Sequence, residues 1–152
     1  MWAGVAVGGI VVLVVLTFVV YFVWTLFTGT SPKGVEFDAS FPALLAEGEA
    51  FTMTVTVRNL LDRERTFRSL DFDNSLLKGF LVEKLEPAAR ESSSAYGTTA
   101  HHYQLSIAPR DSVSLTLSCR ALHPGEHSGD IMVFVDQANW KNLSKVFRIV
   151  VK

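Results

Sequence analysis

The order of apolar and polar residues divides this chain into two regimes. Residues 5–27, VAVGGIVVLVVLTFVVYFVWTLF, are apolar or aromatic apart from two glycines and two threonines, with no polar stripe. Beyond residue 34 the pattern changes to strict alternation. In EAFTMTVTVRN, Phe51, Met53, Val55 and Val57 fall on one face of an extended strand and Thr52, Thr54, Thr56 and Arg58 on the other. Burying such a face is worth about 1.5 to 3 kcal/mol per large side chain, and a slip of one residue would turn all of them to water. The same period recurs in TFRSLDF around Leu70 and Phe72, in GFLVEKL, in HYQLSI with Tyr103, Leu105 and Ile107, and in DSVSLTLSCR with Val113, Leu115, Leu117 and Cys119. DIMVFVD and KVFRIVV are more continuously apolar, the pattern of strands covered on both faces at the centre of a sandwich. Apart from a short turn at FPALLAEGE, no helical period follows residue 34.

Turn residues separate these runs. APRD joins two of them tightly, and in HPGE the order Pro124, Gly125 suits a turn that presets one φ and needs the next positive. The spacing predicts an all-β domain over 35–152, an antiparallel two-sheet sandwich of seven or eight strands. EPAARESSSAYGTTA, residues 86–100, reads as a long polar loop, functional or mobile. Residues 29–34 read as a linker broken by Pro32.

Residues 1–28 are expected to form a single transmembrane helix. A 23-residue run rises roughly 35 Å as a helix, against a hydrocarbon core of about 30 Å. It is longer than a signal-peptide core and lacks the basic leader. Tyr21, Phe22, Trp24 and Phe27 crowd one end and Trp2 the other, as interfacial aromatics do. Gly4 and Gly8 would allow two such helices to approach, a route to a homo-oligomer. All 14 Lys and Arg and all 15 Asp and Glu lie from Lys33 onward, and the net charge of −1 offers no field for nucleic acid. Long domains translocate largely regardless of charge, so the membrane protein is expected to place its soluble domain outside the cytoplasm. One cysteine excludes an intrachain disulfide; Cys119 continues the apolar parity of its strand and reads as a buried wall residue.

FTMTVTVRN, the stretch YQLSIAPRDSVSLTLSCRALHPGEHSGDIMVFVD and the closing KVFRIVVK resemble the immunoglobulin-like adhesion and spacer modules of bacterial surface proteins, of the CARDB and NEW3 type. In those modules a strand ending in Asn precedes a loop and a glycine-spaced hairpin leads to the last strand; Gly125, Gly129, Ile131 and Val133 fit that outline. The resemblance implies an immunoglobulin-like fold and a module that binds, spaces or assembles, with no catalytic residues to carry over.

Candidate chemistry is sparse. His101 and His102 are adjacent, so a strand sends them to opposite faces, and His123 and His127 straddle a turn; a zinc site needs three or four converging ligands. DFDNS opens like a calcium loop but lacks its closing residues. No Gly-x-Ser-x-Gly or phosphate-binding glycine loop occurs, so no cofactor is expected. RNLLDRERTFR gathers Arg58, Arg63, Arg65 and Arg68, suited to an acidic partner or lipid headgroups. The expected role is a non-catalytic, membrane-anchored binding or assembly module for a protein partner, accessory to a larger envelope or surface complex. Its interaction surface is sought in Arg63, Arg65, Tyr96 and Trp140. Two alternatives stand beside it, a metal-dependent or hydrolytic enzyme using the histidines and a self-associating spacer.

Overall fold

A computed structural model describes residues 15, 17, 19, 20, 32–136 and 142–152. The chain divides into two units, Met1–Thr30 and Ser31–Lys152. In the first unit Val15, Thr17, Val19 and Val20 are helical and exposed; the rest of the expected transmembrane span lies outside the described residues. Among those described, no helix is long and apolar enough to cross a membrane.

The second unit is a two-sheet β-sandwich. Its strands are β1 (Val35–Ser40), β2 (Leu44–Leu45), β3 (Ala50–Asn59), β4 (Arg65–Asp73), β5 (Phe80–Glu86), β6 (Glu91–Ala95), β7 (Thr98–Ile107), β8 (Ser112–Ala121), β9 (Gly125–Val135) and β10 (Asn142–Val151). One sheet runs β1-β3-β8-β5 and the other β2-β10-β9-β4-β7-β6. A single helical turn, α1 (Asn74–Leu77), carries the chain from β4 to β5. Asp73 caps it, accepting from the Ser75 amide at 2.8 Å, and Leu76 plugs that end of the core.

Alternation becomes packing most directly in the central pair of the first sheet. Met53 lies opposite Leu117 and Val55 opposite Leu115, all four fully buried, while Phe51 faces Cys119. The second sheet returns Phe67, Leu70, Phe72, Ile131 and Val133 to the same interior. Phe67 and Leu70 are three residues apart, which simple alternation would send to opposite faces. A bulge between Phe67 and Ser69 absorbs Arg68 and restores both to the core.

Four expectations are corrected. The described residues hold ten strands rather than seven or eight, and one pairing, β2 on the end of β10, is parallel because the chain crosses between sheets after β1. Residues 86–100 are not one long loop. They turn at a cis Glu86–Pro87 bond and then form the β6–β7 hairpin, held by the ladder and by Ser94 Oγ to Thr99 Oγ1 at 2.9 Å. FPALLAEGE holds the short strand β2, and the helical turn falls instead at α1. KVFRIVV does not lie at the centre of a sheet: β10 has only the two residues of β2 beyond it, and Val146 is 73% exposed.

Asn59 ends β3 and is 1% exposed. Its Nδ2 lies within donating distance of the carbonyls of Arg63 (2.7 Å), Ile107 (3.2 Å) and Ala108 (3.0 Å), while its Oδ1 accepts from the Leu61 amide at 3.1 Å. One amide therefore fastens the β3–β4 loop to the β7–β8 turn. Replacing it with alanine strands buried carbonyls, so Asn59→Ala is expected to lower stability by about 2–4 kcal/mol. Thr52→Ala, on the exposed face of the same strand, should stay within about 0.5 kcal/mol of wild type. Urea unfolding of the two variants checks both.

Candidate functional site

The chain comes into the sandwich at the end where β1 starts. The Leu60 amide donates to the Gly34 carbonyl at 2.8 Å, and Gly34, at φ 71°, lies so close to the Leu61 side chain that a Cβ there would meet it at 2.5 Å. The arginine cluster surrounds this end and divides by burial. Arg58 and Arg63 are exposed, and neither forms an ion pair among the described residues. Arg110 grips Asp62 with two hydrogen bonds, of 2.6 and 3.0 Å, which holds the Asp62 carboxyl below its ordinary range.

Arg65 is not a surface residue. It is 5% exposed, its Nε pairs with Asp136 and its Nη1 donates to the Lys33 carbonyl at 3.0 Å. Asp136 also accepts from the Thr66 amide at 2.9 Å and, through its backbone carbonyl, from Arg68 Nε at 3.0 Å. The parity of β4 places Arg65 on the side of Phe67, so the guanidinium is a bolt between the start of β4 and the end of β9. Trp140 lies outside the described residues.

Tyr96 stands at the other end of the sandwich. Ala95 pairs with Thr98, leaving Tyr96 and Gly97 as a two-residue turn with φ 51° and 79°. Positive φ at both positions is the type I′ geometry that Asn-Gly adopts readily and an aromatic does not. Two other non-glycine residues share positive φ, Arg110 and Asp136, and both are tied down by the internal pairs just described. The Tyr96 ring is fully exposed, with no hydrogen bond, ring contact or ion pair among the described residues.

The histidines do not converge. Among the described residues no group of three His, Cys, Asp or Glu side chains could hold a metal. His101 and His102 take opposite faces of β7. His101 is 8% exposed and packs against Phe72, its ring centroid 5.9 Å away at 71°. Its Nδ1 bonds Ser92 Oγ at 2.8 Å and its Nε2 has no partner. Burial pushes its pKa below 6.5, with nearby His102 adding to the shift. On the outer face Ser93 Oγ lies 3.1 Å from His102 Nε2. Asp71 is near that ring, but its carboxylate bonds Ser69 Oγ instead, and burial raises its pKa. His127 Nε2 bonds the His123 carbonyl at 2.8 Å across their turn. Burial, reinforced by Glu83, pushes the Cys119 thiol up to about 12, so it stays protonated and inert.

A cleft of about 640 Å³ opens along one side of the sandwich between β1 and β10. Val35, Phe37 and Leu143 floor it, and Lys145 reaches across it to Asp38 at 3.7 Å.

No protein-family model matches the chain, and no curated protein matches it. Solved structures do. The chain is similar to a part of elastase-activated α2-macroglobulin from Escherichia coli, at 18% identity and TM-score 0.51, over 78% of this chain and 9% of that one. It is similar to the cohesin module of a Clostridium perfringens family 33 glycoside hydrolase, at 6% identity and TM-score 0.50, over 80% of this chain and 98% of the module. The CARDB domain of a Pyrococcus furiosus protein aligns at 16% identity and TM-score 0.49, over 78% and 94%. The first two likenesses are of fold alone, an all-β, two-sheet sandwich.

Two outcomes follow from the buried polar groups. His101 titrates less readily folded than unfolded, so the unfolded chain binds more protons below pH 6.5 and stability falls as pH drops from there. Asp71, with its pKa raised, acts oppositely above 3.8, its contribution lost as pH rises. Urea midpoints measured against pH should therefore flatten below 6.5 in His101→Phe. Arg65→Ala, which leaves Asp136 without its cation, is expected to cost about 3 kcal/mol in the same assay.

Proposed function

We propose that this protein is a membrane-anchored, non-catalytic immunoglobulin-like module that binds a protein partner through the tip of its β6–β7 hairpin, as an accessory to a larger envelope or surface assembly. The observation that carries this reading is Tyr96. A bulky residue held at φ 51° costs about 1 kcal/mol or more, and here no internal contact offsets it. A rigid, solvent-facing aromatic on a two-residue turn is the kind of anchor that fills a pocket on a partner. The topology supports the same reading. The chain enters the sandwich beside Arg65, and Asp73 pairs with Thr98 at the far end of β4, so Tyr96 stands opposite the point of attachment. The apolar run 5–27 supplies the anchor, and a tether at one end leaves the other free to meet its target.

Tyr96→Asn separates binding from folding. Asn-Gly fits the turn better, so the variant is expected to gain about 0.5–1 kcal/mol of stability. In affinity capture of the full chain from its native membranes in mild detergent, it should lose a stoichiometric partner by about tenfold or more. Arg63→Ala should retain it. Full retention by Tyr96→Asn refutes the tip, and a wild-type chain that captures no stoichiometric partner refutes the binding role.

A further inference from the structure

The four strands at the sheet edges differ in how they discourage pairing with another chain. β5 is bulged between Val82 and Lys84, and Glu83 there is held by Arg120. β6 is short, polar and exposed throughout. β1 presents Glu36 and Asp38. β2 shields only Val150 and Val151 of β10, so among the described residues 142–148 face no strand on that side and run without a bulge. Such an edge is a template for strand addition.

Its free backbone groups are identifiable. Val150 and Lys152 donate outward, to the carbonyls of Ala43 and Leu45 at 2.9 and 2.8 Å. By alternation, the N–H and C=O of Ser144, Val146 and Arg148 also point outward. The basic side chains that would ordinarily guard the edge are neutralised within the chain. Lys145 pairs with Asp38 and lies 5.2 Å from the centroid of the Phe37 ring, and Arg148 pairs with Glu126 at 2.6 Å. Val146, 73% exposed, sits in the middle, and Leu44, 53% exposed, lies on the same edge.

We propose that a second copy of this chain occupies this edge, pairing β10 with β10 antiparallel about a two-fold axis at Val146. The segment is self-complementary in that register. Val146 meets Val146, Ser144 meets Arg148, and each Lys145 lies opposite the other copy's Phe147, a cation beside an aromatic ring. The neighbouring register, centred on Lys145, would set two ammonium groups face to face and is disfavoured. The ladder ends on both sides where β2 begins, because Val150, which would lie opposite Asn142 of the other copy, is already bonded to Ala43. Leu143 of each copy, which lines the β1–β10 cleft, then lies beside the second strand. This contact requires neither the membrane anchor nor the Tyr96 partner.

The test uses the full chain in detergent micelles. Sedimentation should give a dimer for wild type, with association weakened by about tenfold or more in Val146→Lys, which sets like charges on the axis. Val146→Pro should have the same effect while remaining folded, because the N–H it removes bonds nothing among the described residues. Hydrogen-bonded antiparallel pairs hold Cα atoms about 5.5 Å apart, within disulfide range. With Cys119 buried and protonated, Val146→Cys should therefore crosslink under mild oxidation, and Thr52→Cys, on the exposed face of β3, should not. A monomeric wild type, a dimer indifferent to Val146→Lys, or equal crosslinking at residues 146 and 52 overturns the proposal.

Discussion

The registration of β3 on β8 is the constraint from which the rest of the molecule follows. Met53, Val55, Leu115 and Leu117 can be dry together only in the observed pairing, with Thr52, Thr54, Thr56, Ser114, Thr116 and Ser118 on the opposite face. Thr56 and Ser114 hydrogen-bond there at 3.1 Å. A shift by one residue would bury the hydroxyls and expose the apolar set, so no neighbouring register competes. β1 is built on β3 and β5 on β8, and Asn59 at the end of β3 then fixes the loops that follow.

That constraint was legible because it is local and periodic. The faces of β3 and β8, including the wall position of Cys119, follow from counting by twos. What was not legible breaks the count or depends on a distant partner. Phe67 and Leu70 share a face only through the bulge at Arg68, which no single residue announces. β6 buries no apolar residue, and its order comes from β7 and from Ser92, Ser93 and Ser94 bonding His101, His102 and Thr99. Tyr-Gly gave no hairpin signal, since the turn usually signalled by Asn-Gly is here formed by an aromatic. Arg65 was assigned to the surface by its charge, although its spacing from Phe67 pointed inward. Its counter-ion, Asp136, lies far along the chain, just past the end of β9.

The polar groups inside the sandwich serve the fold. Arg65 bolts two strands, Asn59 ties two loops, and His101 is held neutral against Phe72. Ser93 and His102 touch, but the nearby Asp71 carboxylate is engaged with Ser69. The features the fold does not use lie on the rim: a tyrosine on a turn it does not suit, and a strand edge whose charges are already paired. Both proposed contacts lie on this rim.

Hydrogen exchange of the native full chain, resolved by segment, tests most directly whether the β3–β8 registration underlies the whole domain. The amides of β3, β8, β4 and β9 should exchange last and together, through global unfolding alone, with β6 opening earlier by local fluctuation. Exchange of β3 and β8 as fast as β6, or well ahead of β4 and β9, would contradict this account.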